Sequence, residues 1–300
     1  MSASGSARAV FYALGANAAI AVAKTAAAVI TGSQSMIAEA VHSGADCGNQ
    51  LLLLLGMQQA KRPASPDYPL GFGKEQYFWS FIVAILLFSV GGLFSVYEGW
   101  HKLKEPEAIQ SPLVALGVLA FGIVAEGFSM WGAMHEIEKH RAGRSMWKWF
   151  RTTRDSELVV IFGEDLAALA GLVIAFVAVL LAWRTGNGIY DALGSIAIGS
   201  LLIVVAVLVA IEVKALLVGQ GVEAPVRREM IAFLEAQSPV LRVIDLLTLH
   251  MGADVMVAVK AEMHEAGSTR ALVDEINAVE AAFRVRFPQV SWVFFEPDVR

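Results

Sequence analysis

The amino-acid sequence predicts an all-α membrane bundle of six transmembrane helices followed by a small α+β domain. Three observations predict it. The 300 residues are 56% hydrophobic and 17% charged, against about 45–50% and about 25% in soluble domains. The apolar residues fall in blocks of about 20, the length that crosses a hydrocarbon core. After Gly221 the blocks stop, and polar and apolar residues alternate.

The blocks lie at about 9–31, 35–57, 77–100, 112–134, 158–182 and 189–213. The first runs past the core of a signal peptide and is read as a retained span. In the tail the pattern gives a helix (about 225–237), strands (about 242–250 and 254–263), a helix (about 268–286) and a strand (about 290–296). The turn Gly252-Ala253-Asp254 separates the two middle strands as a hairpin does. An α-β-β-α-β order suggests an open sheet with helices on one face. The expected domains are 1–220, membrane, and 221–300, soluble.

Lys and Arg in short loops set orientation. Lys61, Arg62 and Lys74 fall between spans 2 and 3, and Lys139, Arg141, Arg144, Lys148, Arg151 and Arg154 between spans 4 and 5. The opposite side holds only Lys102, Lys104 and Arg184. Both termini and the C-terminal domain are therefore expected in the cytoplasm, the chain being integral to a bacterial inner (plasma) membrane. No strongly basic tract points to nucleic acid. The single cysteine, Cys47, excludes an internal disulfide and a multi-cysteine zinc cluster.

The stretch AEAVHSGADCGNQLLLLLG, residues 38–56, places ionisable groups inside an apolar span. Glu39, His42, Asp46 and Asn49 step by three, four and three, which aligns them on one helix face. Span 5 adds Glu164 and Asp165, span 4 Glu126, span 3 Glu98, and span 1 Asn17 and Lys24. A charge near the bilayer centre costs about 2.5–3.5 kcal/mol by insertion scales, so something must offset it. Polar groups do hold membrane helices together, and Lys24 reads as a counter-ion to one acid. A His and an Asp one turn apart can instead share one metal ion with a carboxylate from span 5, and that ion neutralises the buried acids.

These residues resemble the cation diffusion facilitators. The likeness is carried by SQSMIAEAVHSGADCGNQLLLLLG (33–56), YPLGFGKEQYFW (68–79), GIYDALGSIAIGSLL (188–202) and FFEPD (294–298). It implies a proton-coupled exporter of divalent metal, a homodimer, with a ferredoxin-like cytoplasmic domain joining the protomers. The family's transport site takes two residues from span 2 and two from span 5. Carried over, these are His42, Asp46 and Asp165. Ile161 stands where many members have the remaining ligand, which leaves Glu164, Asn49, Glu126 or water for that place. The EDLAALAG and HSGADCGNQ variants look like the zinc branch that includes a mitochondrial member.

Accessory metal sites of some members are weakened. Tyr68 and Phe72 occupy the matching loop places, and the C-terminal domain offers only His250, His264, Glu296 and Asp298. The implied substrate is Zn2+, with Mn2+, Fe2+ or Co2+ as alternatives, since imidazole and carboxylate suit several of these ions. The expected partners are divalent cations, protons, the lipid bilayer and a second copy; no resident cofactor is expected. A membrane-embedded metallohydrolase, with Glu164 as general base, lacks a recognisable motif such as His-Glu-x-x-His. A membrane-anchored metal sensor does not need acids in several spans.

Overall fold

The computed structural model describes residues 3–31, 34–106 and 111–299, without the side chains of residues 3–6, 28, 30, 31, 34–42 and 45. Long helices dominate the first two thirds: α1 (Ala3–Thr31), α2 (Gln34–Gln59), α3 (Glu75–Lys104) and α4 (Pro112–Arg141). A short α5 (Met146–Thr152) precedes α6 (Ser156–Thr185) and α7 (Ile189–Val218). Five of these, all but α2 and α5, carry stretches long and apolar enough to cross a membrane. At 26 residues, about 39 Å at 1.5 Å per residue, α2 has the length. Its polar stripe interrupts the apolar run, and part of it lies outside the described side chains, so the expected sixth span is not among the five.

The chain begins its spans where sequence supplies a start. Asp155 caps α6 by accepting from the Leu158 N–H at 3.2 Å, which satisfies one of the orphan donors of a helix N-terminus. Pro112 opens α4, a position where its missing N–H is harmless. Within α3 the segment Leu87–Leu93 winds as a π-helix and carries Gly91 and Gly92.

The helices pack as neighbours, α1 on α2 and α4, α6 on α4 and α7, and α3 on α2 and α7. Small residues bring α3 and α7 together, as in membrane bundles generally. A Cβ on Gly199 would stand 2.6 Å from Val96 N and 2.7 Å from the Gly92 carbonyl. The largest apolar core gathers Ala9 and Val10 of α1, Leu53 of α2, Val83 of α3, Ile137 of α4, Leu158 and Ile161 of α6 and Val213 of α7. All come from the end of the bundle nearest the C-terminal domain.

That domain consists of α8 (Ala224–Glu235), β1 (Val240–Met251), β2 (Asp254–Met263), α9 (Thr269–Arg286) and β3 (Val290–Pro297). The sheet order is β1-β2-β3, antiparallel then parallel. The parallel pair needs a crossover, and α9 supplies it. Val255, Val257 and Val259 are buried on one face with Leu246, Met230, Leu234 and Phe283. Gly252 takes φ +79° in the two-residue hairpin between β1 and β2, a conformation glycine adopts freely.

The hairpin docks on the bundle. Tyr77 of α3, fully buried, donates its hydroxyl to the Gly252 carbonyl at 3.2 Å and accepts from the Gly252 N–H at 3.1 Å. Arg144 pairs with Glu223 at 2.6 Å, and Arg154 donates to the Gly221 carbonyl at 2.8 Å.

Candidate metal centre

The acids of α6 are buried beside polar side chains of two other helices. Glu164 is 5% exposed and Asp165 1%. Asn49 Nδ2 donates to Glu164 Oε1 at 3.0 Å, and Gln50 Nε2 donates to Glu164 Oε2 at 2.5 Å. Ser129 of α4 donates to Asp165 Oδ2 at 2.8 Å. Hydrogen bonds to a charged acceptor are the strong class. An ionised carboxylate offers about four lone-pair sites, so each of these acids keeps acceptor capacity for a cation.

Glu126, 4% exposed on α4, lies in the field of Asp165 and Asp46, with the Lys24 cation opposing. Glu164 likewise senses Asp46 and Glu126. Asp46, Glu126, Glu164 and Asp165 thus form one electrostatic group contributed by α2, α4 and α6. His42 and Glu39 lie on α2 with their side chains outside the described residues. Among the described residues, no three His, Cys, Asp or Glu side chains converge tightly enough to hold a metal ion.

Asn49 meets Glu164 as a hydrogen-bond donor. Gln50 and Ser129 were not candidates from the sequence. Ser129 stands three residues after Glu126, the spacing that shares a helix face, and that signal was available. Gln50 is rotated about 100° from Asn49 on an ideal helix, so the stripe did not point to it. One turn from Asn49 and Asp165, Leu53 and Ile161 are at most 1% exposed and belong to the apolar core that closes the domain-facing end.

The accessory positions make other contacts. The Tyr68 and Phe72 rings lie 4.5 Å apart, with the Arg62 guanidinium 4.3 Å over Phe72. Glu296 and Asp298 are bridged by Lys260 at 3.4 and 2.7 Å. Among the described residues, the buried His250 Nδ1 has no hydrogen-bond partner. Burial, reinforced by the Arg154 cation, pushes its pKa down to about 4. Glu98 pairs with Lys102 at 3.2 Å, and Lys102 reaches Asp191 at 3.5 Å.

A family model, the cation efflux transmembrane domain, matches residues 10–218. The chain belongs to the cation efflux family, the cation diffusion facilitators. It is 36% identical over 242 residues, 80% of this chain and 43% of the relative, to a Xenopus laevis protein named a mitochondrial proton-coupled zinc antiporter. The Homo sapiens protein of that name is 36% identical over 238 residues, 78% of this chain and 42% of that one. Metal tolerance protein C4 of Arabidopsis thaliana is 31% identical over 210 residues, 69% and 46% of the two chains. This family member spans less than half the length of those curated relatives. Two of them carry mitochondrial names, which do not support the bacterial plasma membrane expected from the sequence.

Proposed function

We propose that this family member is a proton-coupled antiporter that exports divalent metal, foremost Zn2+, through a site between α2 and α6. His42 and Asp46 of α2 and Asp165 of α6 bind the cation, with Glu164 or Asn49 completing the set. The observation that carries the reading is the burial of Glu164 and Asp165 within a span, each held by polar side chains of another helix. Buried acids without a compensating cation are rare in membrane spans and mark ion pathways. The names of the zinc antiporter relatives support the same chemistry.

Metal binding requires deprotonated ligands and so releases protons. His42 contributes an imidazole whose unperturbed pKa lies near 6.5. Protons entering from the opposite side reload the site and displace the ion, while rocking of the helices alternates access. Zinc fits an imidazole-carboxylate set, and the retained His favours it over manganese. In this reading α2 is the sixth span, residues 221–300 form a ferredoxin-like cytoplasmic domain, and two copies join through it.

The test is zinc-driven proton movement in proteoliposomes. Zinc added outside exchanges for lumenal protons, so wild-type protein alkalinises the lumen, and Asp46→Ala abolishes the signal. An undiminished signal in Asp46→Ala refutes the site.

A further inference from the structure

Glu157 is a buried acid that the proposed transport site does not use. It sits in the first turn of α6 and is 3% exposed, and among the described residues its Oε1 has no hydrogen-bond partner. It lies seven residues before Glu164, two helical turns or about 10 Å along the axis, and beyond the Leu53–Ile161 layer. Its surroundings are buried. Ser156, Leu158 and Tyr77 are fully buried, and Ser80 donates to Ser156 at 3.2 Å.

Among the described residues, the groups that face Glu157 supply no positive charge. Asp155 and Ser156 on its own segment hydrogen-bond to Glu157, and the Tyr77 hydroxyl of α3 lies in its field while bonded to Gly252. On the neighbouring helices, Glu136 of α4 is paired with Lys139 at 2.7 Å and with Arg8 of α1 at 4.0 Å. Glu212 of α7 is paired with Arg151, and Arg154 is turned to the Gly221 carbonyl. Among the described residues none forms an ion pair with Glu157. A buried carboxylate with neither cation nor full hydrogen bonding takes up a proton instead of keeping its charge. A metal ion is the wrong ligand here, because one free oxygen is far short of a four-ligand set.

We propose that Glu157 is a proton-binding site that holds the domain-facing end of the bundle shut. With this end sealed under Tyr77 and the β1–β2 hairpin, the carboxyl keeps its O–H. When α3 and α6 part, water reaches it, the O–H bond breaks, the proton passes to that water, and the carboxylate is left solvated. Closing takes one proton back. Opening is therefore linked to release of one proton and becomes easier as pH rises on that side. This rests on the transporter reading, in which that end must open to load metal.

Pulsed electron spin resonance on the full chain, without metal, tests it. Spin labels at Asp67→Cys and Trp147→Cys in a Cys47→Ser background report the separation of the α2–α3 loop from α5. In protein with Glu157 intact, the ratio of long to short distances rises with pH by up to tenfold per unit, the limit for one linked proton. Glu157→Gln removes that slope and keeps the short distance; Glu157→Met, neutral and apolar, does the same if the amide is not tolerated. A slope that survives in either neutral variant, or a distance indifferent to pH with Glu157 present, overturns the proposal. A protein that keeps the Glu157-dependent slope but moves no zinc in proteoliposomes sinks the transporter reading alone.

Discussion

Gln50 and Glu164 are bonded across the α2–α6 contact at 2.5 Å, with Asn49 holding the other oxygen of the same carboxylate. The pair fixes the acid at the place where two helices meet. Replacing Gln50 by Leu removes one donor to a charged acceptor, worth about 1.5–3 kcal/mol. Zinc affinity at neutral pH, read by titration calorimetry, falls about tenfold or more.

Ser129 does for Asp165 what Gln50 does for Glu164. Ser129→Ala weakens zinc transport in the same direction, whereas Ser129→Thr keeps the hydroxyl and retains most of it. Initial rates against zinc concentration in proteoliposomes separate the two variants.

The Tyr77–Gly252 double hydrogen bond ties the hairpin to α3. Tyr77→Phe leaves a buried N–H and carbonyl short of a partner, at about 1–3 kcal/mol each. Amide exchange of residues 250–254 speeds up by at least tenfold, while the buried strand interior of β2 is unchanged.

Gly199 and Gly92 set the distance between α3 and α7. Gly199→Ala puts a Cβ against backbone atoms at 2.6 and 2.7 Å, and backbone cannot yield as a flexible side chain does. Overpacking of this kind costs about 1–3 kcal/mol. The melting temperature in detergent drops, and a matched Gly117→Ala control, which has open space around it, does not show the drop.

His250 predicts an acid-side weakness of the C-terminal domain. Its pKa is about 4 when folded, against 6.5 for an ordinary histidine. Between these values the unfolded chain binds more protons than the folded one, so stability is full above about pH 6.5 and declines as pH falls towards 4. His250→Gln flattens that decline in thermal melts at pH 7, 6 and 5.

The long apolar blocks and the α-β-β-α-β order were legible because span length and period-2 alternation are written in residue spacing. The hairpin that docks on the bundle was equally plain in Gly252-Ala253-Asp254. What spacing did not carry was partnership between helices. Asn49 was read as a possible ligand, and its Nδ2 also meets Glu164 as a donor. Gln50 joins the same carboxylate from a face that the three-and-four stripe leaves out. Such contacts depend on how α2 is rotated against α6, and rotation is set by packing of Leu53 and Ile161 with residues of five other elements. Glu98 and Lys102 were the easier case, four apart on one helix and paired at 3.2 Å.

The central claim is that the transported ion rests between α2 and α6. Anomalous scattering at the zinc edge, from crystals of the full chain grown with zinc, measures that position directly. The account predicts a peak bounded by His42, Asp46 and Asp165, lost in Asp165→Ala. Zinc density confined to the C-terminal domain or the loops, with none between these helices, contradicts it.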